Sequence, residues 1–408
     1  MIPYKGGKKL LQLSFVNFKP NSHILLEGAP ATDRFFIIQS GKARSYNETP
    51  IPGIKPEILG PGDFIGVIAC MSGHSQTKNV VAIEPVTAIM VMKSQYSELI
   101  AQNTPVAIKI VKSFARDMRI VNDQLTKLTA KKNLVDSPEE IFHIAEYYEK
   151  QGQTDIACYG YYQYIKHCST GINLDLAKSK FTKLKPRSRA VYFESTNENM
   201  RTYPANTMIM TECQSGGDMF IIQDGSVRIT KVVDGKEIIL AILKKGDMFG
   251  EMALLENKPR SASAIAHTTC QLMVVNKTNF NQMVATQPQM ISKLTTTFAD
   301  RLWAMYRQLA NTLLSDPREK LIDMVALQLE KLKTTPVKGE VYNTGISVVD
   351  LLKMCAIPAE QQNTAYNQLM TDQNVKIVNS QVLVPNVNEI IKQAAFYRKQ
   401  SSKHAKDH

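Results

Sequence analysis

The sequence predicts an α+β protein with two β-rolls of the jelly-roll type, a helical insert between them, and a C-terminal region of helices with a short hairpin. Three observations lead to this prediction. A segment rich in β-forming residues recurs 184 positions later in the chain. Apolar residues at helical spacing follow each copy of that segment. A helical pattern, a proline break and a hairpin pattern close the chain.

An internal repeat defines the two rolls. Several aligned positions share one offset of 184 residues, with no gap needed. The pairs are 36–41 with 220–225, Pro20 with Pro204, Gly62 with Gly246, and Gly66 with Gly250. Short β-rich runs separated by Gly and Asp predict a small barrel or jelly roll in each copy. Within the second copy, Asp234-Gly235 suits a hairpin turn.

Composition indicates a globular protein of several domains. The chain has 408 residues, 44% of them hydrophobic and 21% charged, with a formal charge of +12 that suits an anionic partner. The sequence shows neither a membrane-spanning run nor a signal peptide, and its six cysteines are scattered, so we expect a cytoplasmic protein. We find no enzyme motif, metal-ligand spacing or cofactor motif, and therefore expect no catalytic residues, no metal and no cofactor.

The most specific motif lies in the second copy, at residues 249–264, FGEMALLENKPRSASA. Gly250 allows the backbone to approach a ligand closely, and residues 251–256 predict a short helix whose first N–H groups point at an anion. Arg260 suits phosphate oxygens, whereas Glu251 suits hydroxyl donors because a carboxylate would repel a phosphate. The pattern favours a cyclic phosphate with its ribose. The alternative is a loop that has lost its ligand.

This motif resembles the phosphate-binding cassette of cyclic-nucleotide-binding domains, found in the bacterial catabolite-activator (Crp/Fnr-like) family and in cyclic-nucleotide-dependent kinases. The matching residues are Phe249, Gly250, Glu251, Ala253, Leu254, Arg260, Ser261 and Ala262. The resemblance implies a β-roll and a following helix in both copies. It implies cyclic AMP as the ligand, because Ser261 follows the arginine, with cyclic GMP or a cyclic dinucleotide as alternatives. The ligand-binding residues that it implies are Gly250, Glu251, Met252, Ala253, Arg260, Ser261, Ala262, Met305 and Tyr306.

The first copy differs where the chemistry matters. At the same offset, Val67 stands in place of Glu251 and Gln76 in place of Arg260. We therefore expect a structural or dimerising roll that does not bind a cyclic nucleotide. The alternative is a site for another anion, with His74 and Lys78 as candidates.

Each roll is followed by an apolar stripe at helical spacing, which predicts a packing surface. The stripes are Val111, Phe114, Met118, Val121, Leu125 and Leu128, and then Ile291, Leu294, Phe298, Leu302, Met305, Leu309 and Leu313. They can pair within one chain or across a homodimer, and we expect a homodimer. In the family, the helix after the roll also covers the base, which makes Trp303, Met305 and Tyr306 candidates for that role.

The insert at 138–168 carries small and aromatic residues at spacings that let two antiparallel helices approach closely. This pattern resembles one tetratricopeptide repeat. A single repeat cannot bury its own face, so we expect a spacer packed on neighbouring elements, with peptide binding as the alternative. The basic run that follows is Lys178, Lys180, Lys183, Lys185, Arg187 and Arg189, which is either an anion-binding patch or a solvated face.

Residues 317–390 resemble the winged-helix domain of the catabolite-activator family. We expect one helix that begins near residue 317, two more at 346–354 and 359–370, and then a wing hairpin at 376–385. The second of the paired helices has no Lys or Arg, although Gln and Asn can contact adenine edges. The candidate DNA-binding residues are Lys353, Gln361, Gln362, Asn363 and Lys376. Arg398, Lys399, Lys403 and Lys406 of the tail are further candidates for phosphate contacts.

These patterns predict a cyclic-nucleotide-responsive transcriptional regulator that senses through the second roll. The alternative is a sensor that signals through protein contacts, with a winged helix that does not bind DNA. The expected domains are a degenerate roll at 12–104, a connecting helix at 105–132, the helical insert at 137–185, the ligand-binding roll at 186–286, a dimerisation and ligand-capping helix at 287–316, a winged helix at 317–390 and a basic tail at 391–408.

Overall fold

A computed structural model describes residues 11–51, 53–130, 137–193, 199–233, 235–332 and 339–404. These residues form two compact units. One holds the residues up to Phe114 together with Asn281–Trp303, and the other holds Ala115–Phe280 together with the residues from Ala304 onward. None of the described helices is both long enough and apolar enough to span a lipid bilayer.

The first roll consists of two four-stranded sheets with a shared core. Its strands are β1 (Ser14–Phe18), β2 (His23–Leu25), β3 (Arg34–Ser40), β4 (Ala43–Tyr46), β5 (Glu57–Leu59), β6 (Phe64–Ile65), β7 (Asn79–Ala82) and β8 (Val86–Met92). The sheet orders are β1-β8-β3-β6 and β2-β7-β4-β5. Helix α1 (Val67–Ser72) precedes β7, a 3-10 turn at Lys93–Gln95 leads to α2 (Tyr96–Gln102), and α3 (Thr104–Ala130) follows.

The insert forms α4 (Glu140–Lys150), α5 (Thr154–His167) and α6 (Leu174–Leu184), followed by a 3-10 turn at Lys185–Arg187. The first two helices approach closely, since a Cβ on Gly160 would lie 2.8 Å from the Cβ of Ala145. Their buried face continues into the core of the second roll through Met208, Cys213 and Ile265. This burial agrees with the expected spacer that packs on its neighbours. The tetratricopeptide assignment stays a prediction.

The second roll repeats the two-sheet arrangement. Its strands are β9 (Met200–Tyr203), β10 (Met208–Met210), β11 (Met219–Asp224), β12 (Ser226–Val233), β13 (Lys236–Lys244), β14 (Met248–Phe249), β15 (Ser263–Ala266) and β16 (Cys270–Val275). The sheet orders are β14-β11-β16-β9 and β10-β15-β12-β13. Helix α7 (Glu251–Glu256) occupies the position of α1, and α8 (Lys277–Thr286) and α9 (Pro288–Asn311) follow. Val233 pairs with Lys236 across the expected hairpin, although Asp234 itself lies outside the described residues.

Equivalent backbone hydrogen bonds confirm the repeat but correct its alignment. Strand pairing joins Phe18 to Val86 in the first roll and Tyr203 to Cys270 in the second. The second members of these pairs are 184 positions apart and the first members are 185 apart. The first copy therefore has one extra residue before β3, and the expected ungapped match of Pro20 with Pro204 is wrong.

The apolar stripes of both long helices are buried within a single chain. On α3, Val111, Met118 and Val121 are at most 1% exposed, and on α9, Phe298 and Leu302 are fully buried. The α9 stripe ends sooner than expected, because the helix stops at Asn311, and Leu313 lies outside it and is only partly buried.

The C-terminal region consists of α10 (Pro317–Lys331), β17 (Tyr342–Ser347), α11 (Val348–Met354), α12 (Ala359–Met370), β18 (Lys376–Val378), β19 (Gln381–Val384) and α13 (Val387–His404), with sheet order β17-β19-β18. Asp316 caps α10 by accepting the backbone N–H of Arg318 at 2.7 Å, with proline at the first helical position. The expected helices and hairpin form, and their identification as a winged helix stays a prediction.

Two expectations for this region are wrong. Residues 346–347 belong to a strand, and the helix begins only after Ser347, whose hydroxyl caps it by accepting the backbone N–H of Asp350. The expected basic tail is mostly helix α13, which packs on α10 and buries Ile390 and Ala394. The sequence predicted a basic tail here because basic residues are frequent in this segment, although apolar residues such as Ile390 and Ala394 also occur in it. Lys406 lies outside the described residues.

Candidate functional site

The cassette of the second roll is built around a left-handed glycine. Gly250 has φ 81° and immediately precedes α7, which begins at Glu251 as expected. The left-handed conformation strains any other residue at this position, and a Cβ there would lie 2.7 Å from Nη1 of Arg260 and displace it. The helix ends at Asn257, which is also left-handed. The short helix and its two flanking turns therefore follow from the local sequence.

Arg260 is the central side chain of the cassette. It is only 5% exposed, and its Nη1 donates a hydrogen bond to the carbonyl oxygen of Gly250 at 2.7 Å. Its guanidinium lies over the ring of Phe220, with the carbon 5.8 Å from the centroid. Nε has no hydrogen-bond partner among the described residues. The side chain is thus held in place while its Nε–H remains able to donate a further hydrogen bond.

The electrostatics of Arg260 differ from those of another buried arginine. Burial lowers the pKa of its guanidinium, and Asp218, Tyr159 and Glu251 only partly oppose this effect. Arg307, which is also largely buried, shows the opposite result. Burial lowers its pKa too, but Asp323 and Glu330 outweigh that effect and raise it above the ordinary value. Direct ion pairs with Asp323 and Glu330 therefore dominate at Arg307, whereas burial dominates at Arg260.

The other cassette residues are buried as well. Glu251 is fully buried at the first position of α7, and Ala253 and Ala262 are each 3% exposed. Ser261 Oγ donates to Met252 Sδ at 3.8 Å. The two ends of the cassette meet through the hydrogen bonds of Arg260 to Gly250 and of Ser261 to Met252. Met305 and Tyr306 are buried on α9, and their place at the base stays a prediction.

Helix α3 also reaches the cassette, which the sequence did not indicate. Arg119 Nε donates to Glu256 Oε2 at 2.5 Å, and its Nη2 donates to the carbonyl oxygen of Pro259 at 3.2 Å. One turn later, Asn122 is 2% exposed and its Nδ2 has no partner among the described residues. The only sequence signal was that polar residues interrupt an apolar helix, which is too common to identify a site.

The insert touches the same cassette from another side. Tyr159 of α5 donates its hydroxyl proton to the carbonyl oxygen of Ile209 at 2.8 Å and lies 3.5 Å from Gln214 Oε1. The carbonyl oxygen of Gln214 in turn accepts the backbone N–H of Arg260 at 2.9 Å. Burial raises the pKa of Tyr159 to about 12, so the phenol stays protonated as a donor. The insert therefore helps to fix the backbone that carries Arg260.

The first roll lacks this chemistry. Val67 is buried where Glu251 stands, and a neutral Gln76 occupies the position of Arg260. His74, a candidate for anion binding, stacks on Trp303 with ring centroids 3.7 Å apart, and its Nε2 lies 3.7 Å from Asp300 Oδ1. The neighbouring carboxylate disfavours an anion there. Trp303 thus contacts the first roll, contrary to its expected role over a base in the second.

Some of the candidate DNA-binding residues are exposed, and others already form hydrogen bonds or ion pairs within the protein. Gln361, Asn363 and Lys376 are exposed, whereas Gln362 is half-buried and donates to the carbonyl oxygen of Ile357 at 2.9 Å. Lys353 is engaged, since its Nζ lies 2.6 Å from Glu237 Oε2 on the second roll.

Arg398 is also engaged, because it pairs with the fully buried Asp323. The expectation that Arg398 is available for phosphate contacts is therefore wrong. The structure shows a residue of a packed helix in an internal ion pair.

A sequence model of the cyclic nucleotide-binding domain matches residues 15–103 and again residues 200–287. Among curated proteins, the chain is 29% identical over 115 residues to the cAMP-activated global transcriptional regulator CRP of Salmonella typhimurium, which is 28% of this chain and 55% of that protein. It is 30% identical over 118 residues to the corresponding regulator of Haemophilus influenzae, which is 28% of this chain and 53% of that protein. The chain therefore spans about half the length of these relatives.

Solved structures show more distant likeness. A CooA mutant from Carboxydothermus hydrogenoformans aligns with a TM-score of 0.42 at 17% identity, covering 48% of this chain and 87% of that one. The regulatory domain of Toxoplasma gondii PKA with cAMP aligns with a TM-score of 0.21 at 16% identity, covering 70% of this chain and 85% of that one. The matches to the domain model coincide with the two rolls described above. This chain carries two tandem cyclic nucleotide-binding domains.

Proposed function

We propose that the chain is a cyclic AMP sensor whose second roll binds the ligand and whose C-terminal region transmits the response. The observation that carries this proposal is the buried guanidinium of Arg260, whose Nε has no hydrogen-bond partner among the described residues, inside an intact cassette. A cyclic phosphate would accept charge-assisted hydrogen bonds from this guanidinium. Gln76 in the first roll has no charge to satisfy, which restricts the proposal to the second roll.

The proposed roles follow from the chemistry of each side chain. Arg260 binds the equatorial phosphate oxygens, and Glu251 accepts a hydrogen bond from the ribose 2′-hydroxyl. Ser261 and Ala262 offer a hydroxyl and a small side chain beside the phosphate, while Met252 and Ala253 form the adjacent wall. We place the base near α3, where the amide of Asn122 is buried and its Nδ2 lacks a partner among the described residues. A purine edge offers the acceptors that this amide needs.

Cyclic AMP is the first choice of ligand for two reasons. The curated relatives named above are described as cAMP-activated, and Ser261 follows the arginine, as the resemblance to cyclic-AMP sites implies. Cyclic GMP and cyclic dinucleotides are the alternatives. Calorimetry with these three classes of ligand, on the native chain and on Arg260→Gln, tests the proposal. Unchanged cyclic AMP affinity in the variant would contradict the site, and tighter binding of another ligand would correct its identity.

We propose that α9 transmits the response to the C-terminal region. Arg307 on this helix pairs with Asp323 of α10 at 3.2 Å, and Asn311 Nδ2 donates to the same carboxylate at 3.0 Å. Gln308 Nε2 lies 3.4 Å from the carbonyl oxygen of Met354 at the end of α11. A ligand that shifts α9 would thereby shift the C-terminal helices, provided that it binds the two arrangements with different affinity.

Two outputs are candidates. The first is DNA binding by a winged helix, since the order of α10, α11, α12 and the β18–β19 hairpin suits that fold and the net charge is +12. The second is a protein partner, favoured by the absence of Lys and Arg from α12 and by the ion pairs of Lys353 and Arg398. Gel shifts across a salt series, with and without cyclic AMP, separate the two. DNA binding that weakens with salt supports the first output, and its absence under all conditions supports the second.

Homodimerisation stays a prediction. The apolar stripes that suggested it are buried within one chain, so a dimer would need a different surface. Light scattering with and without cyclic AMP distinguishes a monomer from a ligand-dependent dimer.

A further inference from the structure

A cleft of about 520 Å³ opens on the first roll, well apart in sequence from the second roll's cassette. This volume falls within the range of about 300–1,000 Å³ that is typical of small-molecule sites. The cleft lies on the outer face of the β2-β7-β4-β5 sheet. Arg44 and Tyr46 of β4 line it, whereas the alternate residue Ala43 points into the core. The first roll thus presents a ligand-sized concavity that its function as a scaffold does not require.

The lining of the cleft combines cations with an apolar wall. The cations are Arg44, Lys55 and Lys78, and Glu48 is the carboxylate among the described lining residues. Leu26, Ile51 and Ile54 supply aliphatic surface. The exposed guanidinium of Arg44 lies over the ring of Tyr46, with the carbon 5.0 Å from the centroid, so a cation and an aromatic surface adjoin in the cleft. An excess of positive charge beside apolar surface suits an anion with an apolar body.

Hydrogen bonds hold the rim of the cleft in place. Asn47 Nδ2 donates to the carbonyl oxygen of Thr77 at 2.9 Å, and the backbone N–H of Glu48 donates to Glu27 Oε2 at 2.6 Å. The backbone N–H of Glu27 is itself bonded to Asn79 Oδ1 at 2.9 Å. The chain that follows β4 is therefore tied to the strand ends on both sides. A site organised in advance in this way loses less entropy when it binds a ligand.

The second roll provides an internal comparison for this face. The residues equivalent to Tyr46 and Val81 are Thr230 and Ile265. Ile265 is fully buried in a cluster with the insert, and Thr230 Oγ1 lies 3.3 Å from the hydroxyl of Tyr148. In the second roll the insert covers this outer face, whereas in the first roll Arg44 on the same face is exposed and Tyr46 and Val81 are half-buried. The first roll has thus lost its cassette and kept its outer face accessible.

We propose that the first roll binds a small organic anion in this cleft, a carboxylate or phosphate monoester with an apolar or aromatic body, held by Arg44 and Lys55 beside Tyr46. The site is separate from the cassette of the second roll, so the proposal does not depend on cyclic AMP binding.

Four probes test the proposal by calorimetry on the full chain: benzoate, phenyl phosphate, inorganic phosphate and benzyl alcohol. One or both of the aromatic anions should bind more tightly than either inorganic phosphate or the uncharged alcohol, because the cleft offers both kinds of contact. Tighter binding of benzoate would indicate a carboxylate ligand, and tighter binding of phenyl phosphate would indicate a phosphate monoester. The double variant Arg44→Gln/Lys55→Gln should weaken this binding about tenfold or more, as the loss of one or two charge-assisted contacts implies.

Matched controls make the outcome specific. Lys19→Gln/Lys42→Gln removes the same charge from exposed positions of the same roll outside the cleft and should change the affinity less than about twofold. Arg260→Gln should leave probe binding intact and affect only cyclic AMP. Leu26→Asn, at a position 55% exposed, removes part of the apolar wall without changing the charge and should weaken the aromatic anions but not inorganic phosphate.

Three outcomes would overturn the proposal. They are equal losses in the two double variants, inorganic phosphate that binds as tightly as the aromatic anions, or no binding of any probe at about 10 mM, where a ligand with a Kd near 1 mM would be nearly saturating.

Discussion

Gln76 and Arg260 occupy the same backbone position in the two rolls. The carbonyl oxygen of Gln76 accepts the backbone N–H of Gly28 at 2.8 Å, and its own N–H donates to Ala29 at 2.9 Å. Arg260 makes the equivalent pair of bonds with Cys213 and Gln214, each at 2.9 Å. The two scaffolds are therefore alike at this point, and the difference in predicted ligand binding comes from the side chains.

Replacing Arg260 by the residue of the first roll tests that conclusion directly. Arg260→Gln should weaken cyclic AMP binding by about 2–5 kcal/mol, the typical effect of truncating one partner of a buried charge pair. The unfolding free energy of the ligand-free variant is measured as well, because the substitution also removes the hydrogen bond to Gly250 and the attraction to the buried Glu251. Calorimetry and denaturant unfolding measure the two effects, with Gln76→Ala as the control that leaves cyclic AMP affinity unchanged. A variant that binds normally would contradict the assignment.

Adjacent glycines offer a steric test of the guanidinium position. A Cβ at Gly216 would lie 2.9 Å from Nη2 of Arg260, whereas a Cβ at Gly217 would meet nothing within 4 Å. Gly216→Ala should therefore displace Arg260 and weaken cyclic AMP binding about tenfold, which corresponds to about 1.4 kcal/mol. Gly217→Ala should bind as the native protein does. Equal affinity of the two variants would show that the guanidinium moves without consequence.

Asn122 should contribute to recognition of the base. Asn122→Ala removes the amide whose Nδ2 lacks a partner among the described residues. It should weaken cyclic AMP binding by about 1 kcal/mol, the typical contribution of one hydrogen bond, and change the ratio of cyclic AMP to cyclic GMP affinity. Lys127→Ala, at an exposed position of the same helix, is the control. If the two variants match in affinity and selectivity, the base does not contact Asn122.

Asp323 should control the stability of the C-terminal region. Burial alone would raise the pKa of Asp323, but Arg307 and Arg398 outweigh it and lower the pKa below the ordinary value of 3.8. Asp323→Asn should cost about 3–5 kcal/mol at neutral pH, because it leaves buried guanidinium groups without their partner. Glu389→Gln, which breaks an exposed pair with Lys392, should cost less than about 0.5 kcal/mol.

The pH dependence of that effect has a definite sign. Because the folded pKa is lowered, the contribution of Asp323 is present above the unfolded value of 3.8 and is lost as the pH falls through the folded value. The difference in unfolding free energy between the native protein and Asp323→Asn should therefore shrink below pH 3.8. Denaturant unfolding at a series of acidic pH values measures it. A difference that stays constant into strong acid would mean that the ion pair is not its source.

The pair of Lys353 and Glu237 separates the two proposed outputs. If the C-terminal region binds DNA through Lys353, Glu237→Gln should free this lysine and raise DNA affinity. Lys353→Gln should lower it and reduce the salt slope by about 0.9. If the output is a protein partner, neither variant binds DNA, and both loosen the contact between α11 and β13. Hydrogen exchange at α11 detects that loosening, and Lys376→Gln, at an exposed position of the hairpin, serves as the control.

The sequence alone determined the two rolls, the intact cassette at 249–264, the blank one at 65–80, and the order of helices and hairpin in the C-terminal region. These features depend on residues close together in the chain or on an internal repeat, where spacing fixes local geometry. Only the tertiary structure decided which distant partners meet. Arg119 and Glu256 are 137 positions apart, and Lys353 and Glu237 are 116 apart. Such pairs form because packing brings elements together, and no local periodicity encodes that approach.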